Sequence, residues 1–88
     1  MSADTTISRN GVAIRLTDER WQHIIEEHAE LLGLLDDVLK TIGDAERVLS
    51  GSAGELLAVR MMELGKAMVV VYREVDAADG FVITAFVT

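Results

Sequence analysis

Apolar positions change their spacing near residue 50, dividing the chain into a helical half and a strand half. Val12, Ile14 and Leu16 alternate with Ala13 and Arg15, which predicts a short strand over 12–16. Thr17 then offers a hydroxyl cap, with Asp18 and Glu19 behind it, so a helix is expected from residue 18 to about residue 30. Leu31-Leu32-Gly33 breaks it. Leu34, Leu35, Val38, Leu39 and Ile42 form a second helical stripe, and Gly43-Asp44 can cap one more helical turn over 45–49. After the Ser50-Gly51-Ser52-Ala53-Gly54 segment come three runs rich in β-branched and aromatic residues, over 55–62, 67–75 and 81–87. Their Gly-bearing connections predict an antiparallel meander of two hairpins.

The expected fold is therefore α+β, with a short N-terminal strand and two to three helices packed on a C-terminal antiparallel β-meander. Residues 1–10 are polar and aperiodic and end at the turn signal Asn10-Gly11, so they are expected to be a flexible tail before a single domain over 11–88. Both faces of the meander are apolar, since Val69 and Val71 oppose Met68 and Val70. Helices can cover one face only. The other needs a cleft, the strand near residue 12 or a second subunit, so a homodimer is one expectation.

Composition narrows the function classes. Eighty-eight residues, half of them hydrophobic, support one small core. Without cysteine there is neither a disulfide framework nor a thiolate metal site, and a cytoplasmic location is the default. No run reaches the ~18 consecutive apolar residues of a membrane-spanning helix, so no membrane partner is expected. Eight basic residues against fifteen acidic give a net charge of −7, which opposes any binding mode built on broad neutralisation of phosphates. Contact with nucleic acid would have to be local.

The only two histidines, His23 and His28, lie in Trp21-Gln22-His23-Ile24-Ile25-Glu26-Glu27-His28. Helical geometry puts Trp21, Ile25 and His28 on one face, leaving His28 at the edge of an apolar surface where an imidazole is readily tuned as an acid or base. His23 points elsewhere, among Glu26 and Glu27. Histidines at i and i+5 do not face one metal, no Gly-rich phosphate loop is present, and Ser50 and Ser52 have no adjacent base, so neither metal nor cofactor is expected. A tight turn at Leu64-Gly65 would set Arg60 opposite Val69, on the same face as Val71 and Arg73. Arg60, among Leu56, Ala58 and Met62, needs an acidic partner, and Arg73 has Glu55 or Glu74 to pair with. Thr84 would pair with Tyr72 or, given a bulge near Gly80, with Arg73. A histidine with arginines and a hydroxyl is equipment for metal-independent phosphodiester cleavage.

Ile14-Arg15-Leu16-Thr17 leading to Trp21-Gln22-His23-Ile24 and Glu27-His28-Ala29-Glu30-Leu31, then Val48-Leu49, a strand with Arg60, the strand Val69-Val70-Val71-Tyr72-Arg73 and the ending Ile83-Thr84-Ala85-Phe86-Val87-Thr88 resemble the phage-associated barnase, EndoU, colicin and RelE-like nuclease group. The likeness runs from about residue 12 to 88. It implies a small α+β fold acting on RNA without metal, as a toxin or phage effector that an antitoxin-type protein partner restrains. It further implies a site lined by His23, His28, Arg60, Arg73 and Thr84, with His28 as general acid/base, the arginines holding phosphate and Thr84 donating a hydrogen bond. The family usually has proline after the second histidine, where this chain has Ala29. The competing expectation is a catalytically inactive homodimeric protein-interaction module of the same fold.

Overall fold

The computed structural model describes residues 3–88. Its fold is α+β, with a six-stranded mixed sheet and two α-helices. Strands β1 (Ala3–Ile7) and β2 (Ala13–Thr17) form an antiparallel hairpin. Residues 3–7, expected to be tail, are thus an edge strand; their threonines suit a pleated surface, and pairing with β2 supplies the backbone partners that a lone polar segment lacks.

Thr17 caps α1 (Asp18–Glu27) as expected, its hydroxyl accepting the Arg20 N–H at 3.1 Å. The helix stops at His28, whose N–H donates to the Ile24 carbonyl at 2.7 Å; a short 3-10 turn (Ala29–Leu31) carries the chain onward. Helix α2 (Leu35–Gly43) buries Val38, Thr41 and Ile42. The helical turn expected over 45–49 is instead β3 (Arg47–Ser50), because Val48 and Leu49 find a partner in β4 (Leu56–Met61). Strands β5 (Ala67–Glu74) and β6 (Gly80–Val87) complete the meander.

The sheet order is β1-β2-β6-β5-β4-β3, and only the β2–β6 contact is parallel. That contact spans two residue pairs, Ile14 with Gly80 and Arg15 with Phe81. Beyond it β2 turns into α1, which packs beside β2 and β6, while α2 packs on β1, β4 and β5. Ile14, Leu16, Met68, Val70, Tyr72 and Val82 face the helices and form the core with Ile24, Leu31, Val38 and Ile42. Among the described residues no helix packs across the opposite face.

Two registers differ from expectation. The β4–β5 connection is longer than a tight turn: a 3-10 turn (Glu63–Gly65) is closed by the Met62 N–H donating to the Lys66 carbonyl, so Arg60 pairs with Met68 and Val59 with Val69. In the second hairpin Arg73 pairs with Phe81 and, after a bulge, Val71 with Thr84. Thr84 therefore faces neither Tyr72 nor Arg73.

Gly80 is required by close approach. A β-carbon there would strike the Arg73 carbonyl oxygen and come within 2.6 Å of Ile14 Cδ1. Gly80→Ala should cost roughly 1–3 kcal/mol as overpacking at the β2–β6 junction, measurable by urea denaturation. Tyr72 is fully buried and its hydroxyl finds no hydrogen-bond partner among the described residues. Burial, then the nearby Glu74 carboxylate, holds its phenol above the ordinary tyrosine range. The neutral phenol thus belongs to the folded state: stability is complete below the unfolded tyrosine pKa of about 10 and is lost as pH rises through the higher folded value. Absorbance of this single tyrosine near 295 nm should rise together with loss of circular dichroism, whereas an ordinary titration in an intact fold would contradict the burial. Tyr72→Phe should remove the alkaline limb and raise stability by about 1 kcal/mol.

Candidate functional site

The register shift decides where the expected site residues stand. Arg60 faces the helices; Arg73 and Thr84 face the other way. One residue more in the β4–β5 connection reverses the side on which Arg60 projects, so the two guanidiniums do not share a face.

Arg60 is only 16% exposed at its side chain and is held from three directions. Its Nε donates to Thr41 Oγ1 at 3.1 Å, and Nη2 donates to the Asp37 carbonyl and to Asp37 Oδ1, both at 3.2 Å. Thr41 in turn donates to the Asp37 carbonyl at 2.7 Å. The acidic partner that the sequence demands is thus Asp37, and the second ligand, Thr41, is visible in hindsight as a hydroxyl intruding between Val38 and Ile42 in the apolar stripe of α2. Thr41→Val keeps the shape but strands Arg60 Nε, and should lower unfolding free energy by about 1–2 kcal/mol in urea titrations.

Arg60 also lines a cleft of about 660 Å³ between α2 and the β4–β5 hairpin. Leu34, Met62 and Val87 supply apolar lining there, and Glu30, Glu63 and Lys66 bring charge to it.

His28 stands at the end of α1, half-buried, with Nδ1 3.6 Å from Glu30 Oε2 and its ring 6.1 Å from that of Phe86. Phe86 and Thr84 pair with Val69 and Val71, two apart on β5, so they share the helix-free face. The structure therefore brings His28 next to the end of a strand that carries Thr84. His23 is exposed on α1, apart from these groups. Arg73 pairs with neither Glu55 nor Glu74: its Nη2 donates to the Ala53 carbonyl at 2.9 Å. Glu74 accepts from Ser8 Oγ at 2.6 Å and Asn10 Nδ2 at 3.0 Å, tying β5 to the N-terminal hairpin. Glu55 is held below the usual carboxylate range, first by the Ala53 N–H that it accepts and also by the Arg73 charge.

A feature the sequence did not announce crosses three neighbouring strands. Arg15 on β2 pairs with Phe81 on β6, and Phe81 pairs with Arg73 on β5. An aromatic ring, 37% exposed, is thus flanked on an open sheet by two guanidiniums. Arg15 is also doubly bonded to Asp79, at 2.9 and 3.1 Å, which holds that carboxyl below its ordinary value. Arg47 faces the same side through its pairing with Val59. Among the described strand positions of this face there are arginines and no acids, while Asp79 and Glu55, in the adjoining loops, stand against Arg15 and Arg73. The acids of the chain lie on the helices, on the loops and at the other face.

No family model matches the chain, and neither a curated protein nor a solved structure matches it. Among the described residues no three His, Asp or Glu side chains gather into a metal-binding group, and no helix is long and apolar enough to cross a membrane.

Proposed function

We propose that this domain is a metal-independent endoribonuclease of the barnase, EndoU, colicin and RelE-like kind, acting as a toxin or phage effector in the cytoplasm on RNA laid across the open sheet face. One observation carries the reading: in a chain of net charge −7, an exposed Phe81 lies between Arg15 and Arg73 on the one sheet face without helices. Unpaired bases stack on such rings and on guanidinium planes, and the backbone phosphates require only local cations.

In this reading His28 takes the proton from the ribose 2′-hydroxyl as that oxygen bonds to phosphorus and the 5′-oxygen departs, itself protonated from water. Glu30 steadies the imidazolium formed, and Thr84 donates a hydrogen bond to a phosphate oxygen. Phe81 and Phe86 are five residues apart on β6, on the order of 15 Å by strand rise. Arg73 and Arg15 accordingly grip a nucleotide away from the bond that breaks. Arg60 is a strut behind the sheet, and His23 contributes no chemistry. RNA carries its own nucleophile, so catalysis here needs positioning, one base and charge stabilisation.

The same face supports a second reading, a homodimeric interaction module without catalysis, because Leu49 on β3 and Phe81 on β6 are both exposed on it. The two readings separate in one assay. The nuclease should cleave single-stranded RNA in EDTA, His28→Ala should abolish cleavage with a melting temperature within a few degrees of the parent, and Phe81→Ala should lower kcat/KM by roughly 5- to 100-fold. A His28→Ala protein that still cleaves removes the histidine from the mechanism. No cleavage by the parent, with a concentration-dependent dimer that Phe81→Ser dissociates, assigns the face to self-association.

A further inference from the structure

The cleft between α2 and the β4–β5 hairpin lies on the helix side, away from the face proposed to bind RNA. Its apolar floor is Leu34, Met62 and Val87. Met61, which lines it at the hairpin, is 51% exposed, and Leu32, between the lining residues Glu30 and Leu34 in sequence, is 71% exposed. Unbranched methionines adapt to varied shapes. A surface longer than its own cavity suits a length of polypeptide better than a small molecule.

Charge selects the kind of polypeptide. The guanidinium of Arg60 is held by Asp37 and Thr41 and, at 16% exposure, is sheltered from an incoming anion as the half-exposed Arg15 is not. At the cleft Glu30, Asp37 and Glu63 outnumber Arg60 and Lys66, and over residues 18–43 seven acids face only Arg20 and Lys40. A second copy docking here would bring two such acidic layers within a Debye length of about 8–10 Å, and repulsion opposes it. A cationic segment meets the opposite condition. We infer that this cleft docks a basic amphipathic helix from another protein, with apolar side chains at i, i+3, i+4 and i+7 laid on the floor between Leu32 and Met61, and lysines or arginines over Glu30 and Glu63. The inference shares Glu30 with the proposed histidine site but does not require RNA cleavage.

The test uses the full chain and a labelled 16-residue peptide of leucine and lysine whose leucines follow that helical spacing, titrated by fluorescence anisotropy in 0.15 M salt. Leu32→Ser and Met61→Ser, both at exposed positions, should each weaken binding at least fivefold, and Glu63→Gln about threefold. Glu19→Gln, in the first turn of α1, should change it less than twofold. A peptide of the same composition without the apolar stripe should bind at least tenfold more weakly. Equal binding of that control, indifference to both serine variants, or equal effects of Glu19→Gln and Glu63→Gln would reduce the interaction to adsorption by net charge and overturn the inference. Sedimentation showing a dimer of the free protein that Leu32→Ser returns to monomer would give the cleft to a second copy, and would overturn it as well.

Discussion

The architecture depends on two residue pairs. Where Ile14 meets Gly80 and Arg15 meets Phe81, the N-terminal hairpin is joined edge to edge with the C-terminal meander, and a pair of separate antiparallel pieces becomes one sheet. Because the contact is so brief, β2 can leave the sheet plane at once and let α1 run beside β6. Helices then gather on one side. The other side is left bare, and the row Arg15–Phe81–Arg73 exists only because that junction brings β2 alongside β6.

Charge follows the same division. The two helices carry six of the fifteen acids, with Asp18 and Glu19 favourably placed at the N-terminus of α1, while the strands of the other face hold arginines. A single net charge describes neither side. It averages a sheet face that carries arginines with a helical side that carries acids. The arginines are also restrained: Asp79 fixes Arg15 and the Ala53 carbonyl fixes Arg73, which costs little rotational freedom when a ligand arrives.

Much of this was legible in the order of residues. The Thr17 cap, the two apolar stripes and the β-branched runs located α1, α2 and β4 to β6 to within a few residues, because each carries a strong local period. What stayed hidden was non-local. Asp4, Thr5 and Thr6 become strand only through β2, and Val48 and Leu49 become strand only through β4. Registers were hidden too: the 3-10 turn before Lys66 and the bulge near Thr84 each move a side chain by one position, and in a strand one position is the opposite face. Sequence could therefore nominate Arg60, Arg73, Thr84 and His28 without showing that Arg60 projects from the opposite side of the sheet to Arg73 and Thr84.

The Ser8–Glu74 hydrogen bond spans 66 positions of sequence, as do the two residue pairs of the β2–β6 junction. During synthesis the edge of the first hairpin stays unsatisfied until the start of β6 has been made. Assembly is thus governed by closure of a very long loop, and newly made chains pass through an interval in which β2 is free to pair with the wrong neighbour.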